Sequence, residues 1–183
     1  MSSAFAWLGQ IIEWFGQFFP RWAIVRTTHA WVKWVRGSRV LSGTAGIVWY
    51  WPATTDFVEY PVVRQTTPLP SQVITLRDDT TVTIGGLLVF SIHDVEKLIA
   101  HNYDADDTVR DIAQSALLDV CCKMSWEELH KGQGRTLDTK LRNAARDELL
   151  EYGVTVVKFS LTTLAKTRVY RLIQSSFQEG EVR

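Results

Sequence analysis

The chain has 183 residues, 46% of them hydrophobic, with 20 basic and 20 acidic side chains in balance. That is enough for one real core with an appendage, and too neutral for a nucleic-acid binder that works by overall charge. The balance is uneven: up to Thr55, five cations stand against Glu13, a net of +4. Trp7, Trp14, Trp22, Trp31, Trp34, Trp49 and Trp51 also fall in that third, and only Trp126 follows it. A basic, tryptophan-rich segment on a mildly acidic body suits a surface that is apolar and anionic at once, such as a bilayer.

The first element expected is an amphipathic helix over 4–19, AFAWLGQIIEWFGQFF. Phe5, Trp7, Leu8, Ile11, Ile12, Trp14, Phe15, Phe18 and Phe19 form or widen its apolar side. Pro20 closes it. Fifteen or so residues span roughly 22 Å, short of the ~30 Å bilayer core. Glu13 lies mid-helix and opposes a full span. The expectation is a helix lying in an interface, dipping into one leaflet, or packing on a protein neighbour. Trp22 belongs to the same lipid- or partner-facing set. Arg21, Arg26, Lys33, Arg36 and Arg39 follow at once, as candidates for contact with an anionic surface. The first apolar run lacks the basic start and small-residue cleavage site of a secretory signal.

Period-2 and β-branched segments come next. Ala23–Val25, Trp31–Val35 and Ile47–Trp51 read as strands, Thr55–Val63 as extended, and Pro68 and Pro70 as an edge or loop. Trp49 or Trp51 is a candidate for the core. Val73–Leu76 and Val82–Ile84 flank Arg77-Asp78-Asp79-Thr80, a turn signal, so a hairpin is expected. Gly85-Gly86 inside the next run predicts a bulge or a close backbone approach. Asp94 reads as the N-cap of a helix from Val95 to His101.

The period then becomes helical. A helix led by Asp104, Asp106 and Asp107 turns Val109, Ile112, Ala113, Ala116, Leu117 and Val120 to one side. Ser125 and Glu128 have capping-box spacing. Leu137–Tyr152 is a long helix with Leu141, Ala144, Ala145, Leu149 and Leu150 inward, stopped by Gly153. Val154–Leu161 is a strand, and Thr162–Phe177 is read as helical again.

The order of these pieces resembles the SPFH family (stomatin, prohibitin, flotillin), also called Band 7. GIVWYWP at Gly46–Pro52, TLRDDTTVTI followed by FSIHDVEKL, and EYGVTVVKFSLTTL carry the likeness, which spans about Pro20 to Ile173. Ala45-Gly46 stands where the family usually has Pro-Gly. The sequence runs about ten residues further, without the charged coiled coil that follows in most members. The expected layout is an anchor over 1–20, an SPFH-like domain over 21–173 and a short tail over 174–183. The expected fold is α+β: one curved, mainly antiparallel sheet from Ala23–Ile92 and Val154–Leu161, with helices Asp106–Cys122 and Leu137–Glu151 on one face. The resemblance implies a membrane-associated, homo-oligomeric, non-enzymatic scaffold that organises a membrane patch or regulates protein partners. Lateral contact between domains would build the oligomer, which could be a ring. The alternative is a structural subunit of a soluble or viral assembly, in which the N-terminal helix packs on neighbouring protomers.

Reaction chemistry is sparse in the sequence. His29, His93, His101 and His130 lack metal-ligand spacing, so no metal or cofactor is expected. Lys131–Arg135 does not match a phosphate-binding loop, and the Asp104–Asp107 acids lack the glycine and distal glutamate of a calcium loop. No ribonucleoprotein motif accompanies the aromatic and basic residues, so nucleic acid is not expected. The adjacent Cys121 and Cys122 in a helix disfavour a mutual disulfide and suit a reducing compartment, placing the domain on the cytoplasmic face of a membrane.

Overall fold

A computed structural model describes residues 16, 19–100, 104–132 and 134–168. Eight strands and four helices are assigned among them: β1 (Arg21–Val25), β2 (His29–Val35), β3 (Arg39–Gly43), β4 (Gly46–Tyr50), β5 (Thr55–Pro61), β6 (Gln65–Thr75), β7 (Thr81–Ile92), α1 (Val95–Ala100), α2 (Ala105–Cys122), α3 (Trp126–Lys131), α4 (Arg135–Glu151) and β8 (Val154–Lys166). The α+β class and the antiparallel pairing are as expected. The single curved sheet is not. The strands form three separate antiparallel ladders, in orders β1-β4, β3-β2-β5 and β6-β7-β8. The first five strands are five to seven residues long, which leaves little length for joining one continuous ladder.

The β6-β7 hairpin forms around the expected turn. Leu76 N–H donates to Thr80 O at 3.0 Å, and Asp79 takes φ +58°, a left-handed position that aspartate tolerates. Asp78 secures the turn twice over. Its Oδ1 accepts from Thr80 N at 3.2 Å and its Oδ2 from Trp126 N at 2.9 Å, so the hairpin tip is tied to α3.

Pro68 and Pro70 lie inside β6 at the edge of its ladder, so of the two readings the edge holds and the loop does not. They are tolerated because β6 is an edge strand and its register breaks between Leu69 and Gln72. On β7 the inward residues Val82, Ile84, Leu88, Phe90 and Ile92 are buried. Gly85-Gly86 sits at a register break with β8, the expected bulge. A Cβ on Gly86 would stand 3.2 Å from both Leu69 Cδ1 and Phe159 Cε2, so the strand packs there through backbone.

The helices cover this third ladder. Leu137, Leu141, Ala145 and Leu149 make the buried stripe of α4, and Val109, Ala113, Ala116, Leu117 and Cys121 that of α2. Leu150 was expected inward but is 47% exposed. The four-residue spacing of the stripe already fills the contact face, and Leu150 lies about 100° around the helix from Leu149. Both cap readings hold. Asp104 accepts from Asp107 N, and Ser125 and Glu128 close a full capping box. Asp94 Oδ1 accepts from Lys97 N at the start of α1.

Gly153 ends α4 with φ +75°, and a Cβ there would collide with the backbone oxygen of Asp94. The same junction joins the halves of the domain, because Gly153 O accepts from both His93 N and Asp94 N. β8 continues to Lys166, so the helical reading from Thr162 fails over 162–166. Thr163, Leu164 and Ala165 pair with Gly85, Ile84 and Thr83, and ladder bonds outweigh the weak helical pattern. The rest of that reading, and the helix expected over 4–19, lie outside the described residues but for a few positions.

Candidate functional site: an exposed aromatic ribbon

Five residues of β1 pair with five of β4: Trp22 opposite Trp49, Ala23 opposite Val48, Ile24 opposite Ile47. Strand alternation then sorts the side chains into two faces. Val25 and Val48 are buried. On the other face Trp22 is 70% exposed, Ile24 77%, Ile47 64% and Trp49 60%. The two indoles lie 5.8 Å apart at a tilt of 46°, an aromatic cross-strand pair open to solvent.

Phe19, just before the ribbon, and Trp51, just after it, are also exposed. The expectation that Trp49 or Trp51 would enter the core is therefore wrong. Val48 takes the inward position on β4, and alternation turns both of its odd-numbered neighbours, Ile47 and Trp49, outward. A ribbon with two β-branched or aromatic residues per strand on its solvent side is unusual, because exposed apolar groups normally occur singly.

The ribbon is held from beneath. Lys33 Nζ on β2 donates to Trp49 O at 3.3 Å and lies 5.3 Å from the Trp31 ring. Trp31 stacks on Phe57, and Phe57 on Tyr50 at 5.0 Å, so the residue between Trp49 and Trp51 is clamped by β5. Trp31 Nε1 donates to Thr44 O, and its ring fills the space that a side chain at Gly43 would need. The outward residues thus stand on a stacked aromatic base.

The predicted cations occupy different settings. Arg21 and Arg26 are exposed at the two ends of β1, and Arg36 and Arg39 are exposed at the β2-β3 turn. That turn is tight, with Arg36 at φ +52° and Gly37 at φ +67°. None of these four arginines has an ion-pair partner among the described residues. Lys33 differs, since its ammonium is engaged by the Trp49 carbonyl and the Trp31 face. Phe5, Trp7, Leu8, Ile11, Ile12, Trp14, Phe15 and Phe18 lie outside the described residues. Ile24, Ile47 and Trp49 were not singled out from sequence as surface residues. The available signal was the matched alternation of RWAIV and GIVWY, which puts their large side chains in register once the two strands pair.

Groups with shifted acidities serve the fold. Burial, then the hydrogen bond to Asp106 and the charges of Asp106 and Asp104, holds the Tyr60 phenol above its usual range. Burial pushes the Cys121 thiol up to about 12. The Trp126 N–H holds the Asp78 carboxyl below the usual carboxylate range, and the Ser125 N–H and Arg77 do so for Glu128. Among the described residues no group of three or more potential ligands gathers for a metal ion, and no helix is long and apolar enough to cross a membrane.

A comparison with curated proteins finds no match. A scan against protein-family models matches the SPFH domain / Band 7 family over residues 23–178. That match takes in β1 from Ala23 onward, β4, the hairpin, the helices and β8, and leaves Trp22 just outside. Members of this family are in general membrane-associated, non-enzymatic scaffolds. This chain belongs to the SPFH domain / Band 7 family.

Proposed function

We propose that this protein is a membrane-associated, homo-oligomeric scaffold subunit whose β1-β4 ribbon lies at the bilayer interface. The observation that carries this reading is the outward quartet Trp22, Ile24, Ile47 and Trp49, paired across two strands and more than half exposed. Burying each large apolar side chain contributes up to about 1.5–3 kcal/mol. Tryptophan favours the headgroup boundary, where an apolar ring meets a wet rim. Arg21 and Arg26 at the ends of β1 add ~1 kcal/mol each if they reach an anionic leaflet.

The N-terminal apolar sequence cooperates by connectivity. It runs in sequence into Arg21, the first residue of β1. Anchor and ribbon together exceed what one acyl chain supplies, which is the condition for stable peripheral binding. The globular body faces a reducing compartment in this reading, consistent with two free cysteines. The scaffold's task is to concentrate copies of itself and protein partners on a membrane patch.

Sedimentation with phosphatidylserine-containing vesicles tests it. The wild type should pellet at low salt and be partly released as salt rises. Trp22→Asp with Trp49→Asp should weaken binding by at least about tenfold while the far-ultraviolet spectrum is unchanged. Removing residues 1–19 should weaken binding separately. If the wild type stays in the supernatant, the membrane reading is wrong, and the assembly-subunit reading, with the ribbon packed on a neighbouring protomer, takes its place.

A further inference from the structure

Two of the three ladders end in strands that carry opposite charge. β8 is the outer strand of β6-β7-β8 and β5 the outer strand of β3-β2-β5. An outer strand presents unpaired N–H and C=O groups, a template for another strand. The remaining outer strands are poor templates for β8. β6 carries Pro68 and Pro70 and a register break, β1 and β3 begin with Arg21 and Arg39, and β4 has no charge.

Thirteen residues long and free of proline, β8 is the longest strand in the described chain. Its register with β7 breaks on either side of Lys158–Leu161, leaving those four residues regular. Beside this run lies a groove of about 370 Å³ between β8 and α4, lined by Arg135, Asp138, Arg142, Lys158 and Phe159 among others. Three cations face one acid there. Arg135, Arg142 and Lys158 have no ion-pair partner among the described residues.

Of the outer strands only β5 is acidic. It carries Asp56 and Glu59, both exposed and neither in an ion pair among the described residues, with Val58 39% exposed between them.

We infer that β5 of one copy adds to the Lys158–Leu161 edge of β8 in the next copy, with Asp56 on one face of the added strand and Glu59 on the other, beside the Arg135, Arg142 and Lys158 cations. The inference rests on the oligomeric reading above and names its interface. Backbone bonding supplies attraction, and the charges select β5 against the other edges. The contact uses different surfaces on its two sides, so it is head-to-tail. Repetition closes a ring or continues as a filament.

Charge reversal on the full-length chain in detergent, sized by light scattering at low salt, tests this directly. Arg142→Glu with Lys158→Glu makes both edges acidic. Asp56→Lys with Glu59→Lys makes both basic. Each variant alone should fall from the assembled mass to that of one chain, 20.9 kDa. An equimolar mixture should reassemble, because every β5-β8 contact between unlike copies then joins opposite charges. Circular dichroism confirms that both variants are folded.

The inference is overturned if the wild type is a single chain both in detergent and on vesicles. It is equally overturned if either folded variant keeps the wild-type mass, or if the mixture stays dissociated. Loss of assembly on Arg142→Glu/Lys158→Glu alone, with Asp56→Lys/Glu59→Lys unaffected, would replace it with a symmetric β8-β8 contact. Failure of the membrane reading shows up elsewhere, as wild type that does not pellet with vesicles.

Discussion

Cys121 and Cys122 are neighbours in sequence with opposite fates. Cys121 is buried against the core, while Cys122 at the end of α2 is exposed. Thiolate is the reactive form, and burial pushes the Cys121 thiol up to about 12. A thiol reagent at pH 8 should therefore titrate one cysteine per folded chain, and two after denaturant is added. The linkage sign is that of a raised pKa: the folded state holds this proton more tightly, so stability is full below the unfolded thiol value and falls as pH rises through it.

Asp78 runs the other way. Its carboxylate is favoured first by the Trp126 N–H, so the stability it contributes is present above the usual carboxylate range and is lost on acidification. Asp78→Asn should lower the midpoint of thermal unfolding at pH 7 by about 2–4 °C. The gap to wild type should close as pH falls below about 4. Equal gaps at pH 7 and pH 3 would contradict the assignment.

At the scale of elements, Gly153 is the tightest joint. It has φ +75° and no room for a Cβ beside the Asp94 carbonyl, and its own carbonyl caps His93 and Asp94. Gly153→Ala combines left-handed strain with a backbone collision, and we expect it to cost more than about 2 kcal/mol in chemical denaturation. Gly37→Ala, left-handed too but with open space around it, should cost less.

Helices α1 to α4, their caps, the hairpin and the glycine bulge are legible in sequence because each is a local signal: a period, a capping residue, a turn pair. What stayed hidden depends on partners distant in the chain. Nothing in Ile47–Trp51 says that β4 pairs with β1, so nothing local told Val48 from Trp49 as the inward residue. β8 runs past the Leu161 end that its own pattern suggests for a similar reason. Thr162–Lys166 gains its strand from Gly85 and the residues before it on β7, not from its own pattern. The separation into three ladders also follows from pairings that no single segment encodes.

The whole molecule then carries two surfaces of different character. One is the aromatic ribbon with the N-terminal sequence leading into it, and the other is the helix-covered ladder with its cationic groove. A scaffold needs both a grip on the membrane and a way to meet its neighbours, and the ribbon is the part on which the functional reading stands. The most direct measurement places an environment-sensitive fluorophore on a cysteine at Ile24 or Ile47, in a Cys122→Ser background with Cys121 left buried. A control carries it at Arg146 on the exposed side of α4. On adding phosphatidylserine-containing vesicles, probes at 24 and 47 should shift to the blue and brighten, while the probe at 146 should not change. Unchanged emission at 24 and 47 in vesicle-bound protein, or an equal response at all three positions, would contradict insertion of the ribbon face.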